Sequence, residues 1–173
     1  RSGIMGVEWD AVELPSQLME EWAWTPEGLA LCARHYQNQQ SLPVAMVESL
    51  RASRTFHSGF FLVRQLEYGL TDLQWHARAN KGHDVLAVWR AVHDKIAPFS
   101  MPEFHRFPHA FGHVFQGDYA AGYYSYLWAE VLSMDVFSVF LEKGVFSGEV
   151  GARFLNAFLS QGSAQDATVL VEN

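Results

Sequence analysis

An all-α fold is what this sequence predicts, and three observations predict it. Apolar residues recur at helical spacing in several separate segments, no segment shows sustained period-two alternation bounded by turn pairs, and the 49% apolar content is ample for one core. The 173 residues suit a single helical domain running from residue 1 to 173, with 164–173 as a divergent tail. Twelve basic residues against nineteen acidic ones leave a formal charge of -7. That is the wrong sign for the counterion release that drives nucleic-acid binding, so no nucleic-acid partner is expected.

The elements follow in order. Leu14, Leu18 and Trp22 repeat every fourth residue with Met19 beside them, and Pro26 with Glu27 opens a fresh helix. From Phe56 to about Ala79 the positions Phe60, Val63, Leu66, Leu70 and Leu73 trace an apolar stripe on a long amphipathic helix. Val85, Trp89, Val92 and Ile96 repeat the pattern before Pro98, and Leu127, Trp128, Val131, Leu132 and Met134 repeat it again. Phe154, Leu155, Phe158 and Leu159 make a last helix. Between them, the connection from about Ala97 to Gly122 exceeds the usual loop length, which calls for hidden short helices or a functional loop.

Cys32 is the only cysteine, so no internal disulfide forms, which fits a reducing compartment. The stretch Tyr119 to Ala129 is too short to span a bilayer, and Arg1 to Asp10 has no apolar signal core. A cytoplasmic protein with no membrane partner is the expectation.

Three constellations carry chemistry. His105, His109 and His113 sit four apart, a spacing that would stack them on a helix as a metal site. Pro108 disrupts such a helix, and loop histidines bonded to backbone are the alternative. The run Gly117-Asp118-Tyr119-Ala120-Ala121-Gly122-Tyr123-Tyr124-Ser125-Tyr126 combines glycine freedom with four phenols. Such a loop closes over a ligand, and a phenol aimed at an oxyanion contributes about 3 to 4 kcal/mol; the alternative is tyrosines that pack their rings at a helix start. In Val7 to Gln17, Asp10 and Glu13 lie one helical turn apart, and Pro15 kinks that helix or confines it to its first turn. Capping or dipole roles are the ordinary reading of such acids.

Taken in order, these stretches resemble the thimet oligopeptidase and oligopeptidase A family of zinc metallopeptidases. Ser2-Gly3-Ile4 followed by Val7-Glu8-Trp9-Asp10-Ala11-Val12-Glu13-Leu14-Pro15-Ser16-Gln17 is similar to the segment downstream of that family's HExxH helix. Phe60 to Glu67 is similar to its long connecting helix, and Phe107-Pro108-His109, His113 and Tyr119 to Tyr126 to its substrate loop.

The resemblance implies Glu13 as third zinc ligand with Asp10 behind it, and Tyr119 and Tyr126 as catalytic phenols. It implies His113, Gly117, Gly122 and Tyr123 as substrate-binding residues, and short peptides cut at internal bonds as substrates. No His-Glu-x-x-His occurs in the sequence, so two zinc ligands and the general base are missing. The expectation is therefore the carboxyl-terminal part of such an enzyme's catalytic domain, which by itself binds no zinc and cuts no peptide. As partners it would take a second copy of itself or the missing amino-terminal half. The alternative is a stand-alone, non-catalytic helical module that binds peptides or oligomerises.

Overall fold

The computed structural model describes residues 6–77, 82 and 84–172, without the side chain of Glu172. Ser2-Gly3-Ile4 and the expected helix end near Ala79 lie outside the described residues. Among those described, the chain is helical with no strand; the nearest approach to one is an isolated antiparallel bridge between Arg34 and Ser41. Ten helices follow one another: α1 (Trp9–Val12), α2 (Leu14–Glu21), α3 (Pro26–Cys32), α4 (Val44–Ser53), α5 (Ser58–Ala77), α6 (Val85–Ile96), α7 (Gly112–Phe115), α8 (Ser125–Lys143), α9 (Gly148–Phe154) and α10 (Ala167–Glu172). Tight 3-10 turns occupy Trp22–Trp24 and Phe107–Ala110, and a wide π turn at Leu155–Leu159 continues α9.

Two compact units share these helices, one formed by residues 1–56 and 125–173, the other by 57–124. In the first unit α1 and α2 pack along α8. The buried side of α8 begins with Ser125, Ala129 and Ser133 and ends with Phe137 and Phe140. Small residues let the neighbouring backbones approach, and the two phenylalanines then fill the core with Ala11, Leu14, Leu18, Val150 and Phe158. Trp22 meets Phe137 and Phe140 edge-on, with centroids 5.1 and 4.9 Å away, and donates Nε1–H to the Val145 carbonyl.

The tail expected to diverge also folds into this core. Ala167 and Leu170 of α10 are buried there, and the Glu8 carboxylate accepts the Ala167 N–H at 2.7 Å. Buried Glu21 pairs bidentately with Arg54, Oε2 to Nη1 at 2.6 Å, and the Glu21 hydrogen bonds hold the Arg54 guanidinium above its already high ordinary range. Thr25 caps α3 through Gly28 N–H, and Gly28 is obligatory: a Cβ there would meet the Trp22 carbonyl oxygen at 2.0 Å.

In the second unit α5 and α6 run antiparallel, since Trp75 Nε1 reaches the Val85 carbonyl while Glu67 reaches Trp89 and His93 further along α6. Trp75, Trp89, Phe111 and Val114 form its core, with Tyr68, Phe107 and Tyr123 against it. Asp84 caps α6 by accepting the Leu86 and Ala87 amides.

The long helix forms as expected, but its leucines are not its buried side. Leu66, Leu70 and Leu73 are exposed by 40% or more, whereas Glu67, Gly69, Thr71, Asp72 and Trp75 are buried. The physical reason is that burial of a carboxylate is tolerable where donors converge on it, and donors do converge on Glu67 and Asp72. The same reversal occurs on α8, where Trp128, Val131 and Met134 of the expected apolar set are exposed.

Candidate active site

The expected loop from Ala97 to Gly122 contains hidden short helices and a built turn. The 3-10 turn Phe107–Ala110 places Pro108 in its first residues, and α7 follows after Phe111. His109 therefore lies in the turn, His113 on α7 and His105 ahead of both, so the three do not stack on one helix. Among the described residues no group of three or more His, Cys, Asp or Glu side chains comes together to hold a metal ion.

Beyond α7 the chain reverses sharply. Gly117 N–H returns to the Gly112 carbonyl at 3.0 Å and Tyr119 N–H to the His113 carbonyl at 3.4 Å. A Cβ on residue 117 would stand 2.8 Å from that His113 oxygen, so this reversal needs glycine. Tyr119 O then accepts Gly122 N–H at 2.8 Å, with Ala121 in the left-handed region at φ 57°. A non-glycine residue seldom adopts that conformation unless its surroundings fix it.

Asp72 fixes it. Its fully buried carboxylate accepts Ala121 N–H through Oδ1 and Tyr123 N–H through Oδ2, each at 2.9 Å. His76, one turn along α5, sets Nδ1 2.7 Å from Asp72 Oδ1. One side chain thus holds both amides flanking Gly122, which is itself buried. Charge-assisted bonds of this kind are about twice as strong as neutral ones. The Tyr123 hydroxyl donates to Gln65 Oε1 at 3.0 Å, which fixes the far end of the ring.

The result brings His113, Tyr119 and Tyr123 together. The His113 ring meets Tyr119 and Tyr123 edge-on, at centroid distances of 6.1 and 6.0 Å, while Phe111 and Tyr68 back Tyr123. His113 is exposed, and Tyr119 and Tyr123 are half-buried. The Tyr119 hydroxyl and the His113 imidazole are polar groups of this surface, whereas the Tyr123 hydroxyl spends its hydrogen on Gln65. Gly117 and Gly122 supply the bends between them.

The remaining expected site residues belong to the first unit. Asp10 lies on α1 and Tyr126 on α8, and these two helices pack together. Gln17 Nε2 donates to the Tyr126 carbonyl at 2.8 Å, tying α2 to the start of α8. Glu13 sits at the break between α1 and α2, and Pro15 is accommodated in the first turn of α2, where no N–H is needed. Its carboxylate accepts the Ser16 hydroxyl at 2.5 Å, and Ser16 also bonds the Glu13 carbonyl. One half-buried carboxylate is not by itself a zinc site, which takes three or four nitrogen, sulfur or oxygen donors.

The residues that sequence reasoning missed are Asp72, His76 and Gln65 on α5. An Asp at 72 with a His four residues later was legible as an i, i+4 pair, but nothing in the sequence pointed it at a loop some fifty residues away.

Fold and loop together define the class: an all-helical protein with a tyrosine-rich turn held by a buried carboxylate. The sequence of residues 1–173 matches peptidase family M3 throughout, and the chain belongs to that family. It is a metallopeptidase family, generally zinc-dependent.

The chain is 47% identical to Oligopeptidase A of Escherichia coli over 167 residues, covering 95% of this chain and 25% of that protein. Against the organellar oligopeptidase A of Arabidopsis thaliana identity is 43% over 173 residues, covering 95% of this chain and 22% of the relative. The dipeptidyl carboxypeptidase of Escherichia coli is 35% identical over 161 residues, which is 91% of this chain and 24% of that enzyme. The chain thus spans about a quarter of the length of the curated relatives it matches, in their carboxyl-terminal portion.

Proposed function

We propose that this chain is the carboxyl-terminal part of the catalytic domain of a zinc oligopeptidase that hydrolyses internal bonds of short peptides. The observation that carries the reading is the Asp72-held turn, which gathers His113, Tyr119 and Tyr123 on a chain that belongs to a peptidase family. In this reading Tyr119 and Tyr126 are the catalytic phenols, each contacting the substrate or stabilising the tetrahedral intermediate. His113 and Tyr123 hold the peptide, and Gly117 and Gly122 let its backbone approach.

Glu13 contributes one carboxylate to the zinc, with Asp10 behind it, and the other donors are residues other than those described here. The chain alone then holds no tight zinc and does not cut peptides, and the complete enzyme works in the cytoplasm.

A chimera tests this. The matching quarter of the Escherichia coli Oligopeptidase A is replaced by this chain, and hydrolysis of a short internally quenched peptide is followed. The chimera is expected to cleave, Tyr126→Phe to lower kcat about 100-fold with little change in KM, and the chain alone to be inert. A folded, zinc-loaded chimera without activity, or cleavage by the chain alone, would refute the reading.

Exposed leucines on α5 and the exposed Trp128 and Val131 on α8 favour a second reading, a non-catalytic helical module that self-associates or binds peptides. Light scattering that shows only monomer at high concentration, with no heat on titrating short peptides, removes it.

A further inference from the structure

The second unit contains a cavity that the tyrosine turn does not use. It measures about 310 Å³, enough for a small ligand, and its walls are aromatic. Phe60 stacks on Phe99 at 5.5 Å on one side, and Tyr68 on Phe107 at 4.6 Å and 10° on another, while Trp89 lies 5.9 Å from Phe107. An apolar or aromatic body fits between such faces.

The polar groups at this cavity decide the charge of its ligand. Glu67 is its one acidic group among the described residues, and it is already matched: Oε1 accepts Trp89 Nε1–H at 2.7 Å and lies 3.0 Å from His93 Nδ1. The other ring nitrogen of His93 faces the Phe99 carbonyl at 2.8 Å. Both His93 nitrogens therefore face acceptors of the protein itself, so His93 and Glu67 are engaged with one another and with the chain.

Among the described residues, donors remain without protein acceptors. Among the described residues Arg64 spends only Nε, on the Tyr68 hydroxyl, with its guanidinium 5.4 Å above the Tyr68 ring. Arg106 spends Nη1 on the carbonyls of Glu103 and His105. His105 lines the same cavity, its Nδ1 is buried, and no partner reaches it among the described residues. Two guanidinium groups thus stand at an aromatic slot that the His105 ring also lines.

We propose that this cavity is a binding site for a small apolar carboxylate, with an aromatic or branched body between the stacked rings and the carboxylate on Arg64 and Arg106. Planar guanidinium donors match a carboxylate in pairs, which makes the acid and not its amide the preferred ligand. The site stands apart from the proposed peptidase reading and does not depend on it.

Such a carboxylate arrives either as a free small acid or as the carboxyl terminus of a short peptide. The experiment titrates the whole purified chain, followed by NMR of the histidine rings and by calorimetry. Its probes are N-acetyl-phenylalanine, a tripeptide ending in phenylalanine with a free carboxyl group, and the amides of both. The acids are expected to bind at least tenfold more tightly than their amides, to shift the His105 ring signals, and to lose that preference in Arg64→Gln and Arg106→Gln. Tighter binding of the tripeptide assigns the site to peptide termini, and tighter binding of the small acid to free acids; either supports it. Equal affinity of acid and amide for the unaltered chain, or no binding at millimolar concentration, overturns the proposal without recourse to any variant.

Discussion

Helices α5 and α8 are nearly the same length, 20 and 19 residues, yet they bury opposite kinds of surface. α8 turns serines, an alanine and two phenylalanines inward, so its buried side serves packing. α5 turns a glutamate, an aspartate and a threonine inward, and its two buried carboxylates serve hydrogen bonding, Glu67 to side chains of α6 and Asp72 to the backbone of the tyrosine turn. The lesson is that a buried polar row marks a helix that positions loops, and in this protein the positioned loop is the tyrosine turn.

The sharpest way to break the comparison is to truncate one side chain from each row. Phe137→Ala leaves a cavity between Trp22 and Phe140 and should cost the first unit about 4 kcal/mol, read by urea unfolding. Asp72→Ala removes no apolar packing but strands the Ala121 and Tyr123 amides, and should cost the second unit about 3 kcal/mol. Amide hydrogen exchange separates the two: Asp72→Ala should raise exchange at Ala121 and Tyr123, and Phe137→Ala should not. If Asp72→Ala unfolds no more easily than the parent, the polar row is ornament and the comparison fails.

A smaller effect of opposite sign sharpens it. Thr71 is fully buried on α5, and its hydroxyl finds no partner among the described residues. Thr71→Val removes that hydroxyl at nearly constant volume and should raise stability by up to about 1 kcal/mol. A loss of stability instead would mean the hydroxyl has a bonded partner that the described residues do not show.

The all-helical class was readable because helical spacing survives any choice of buried face. Which face is buried was not readable for α5 and α8. Periodicity registers apolar side chains and is blind to carboxylates that find donors, so the leucine stripe does not tell which side of α5 is buried. Helix α4 escaped notice for a related reason: it contributes no buried residue, so no inward stripe marks it.

Within the candidate site, the tyrosine run and His113 stood out by composition and by family resemblance, and Gly117 by its place in the loop. Asp72 did not, because its role depends on which distant backbone amides the fold delivers to it. Pro15 was the opposite case: a covalent restriction on one residue, sufficient to end α1 and begin α2 where it does.

The left-handed alanine at position 121 has a consequence for engineering. Its conformation is encoded on another helix, by a carboxylate 49 residues earlier in the chain. Grafting residues 112–124 onto a foreign scaffold would carry over Tyr119, Tyr123 and Tyr124 without the carboxylate that fixes the backbone at Ala121 and Tyr123, so a working transplant must bring the segment of α5 bearing Asp72 as well. The unit of inheritance for this turn is a helix and a loop together, and recombination that separates them yields tyrosines without an address.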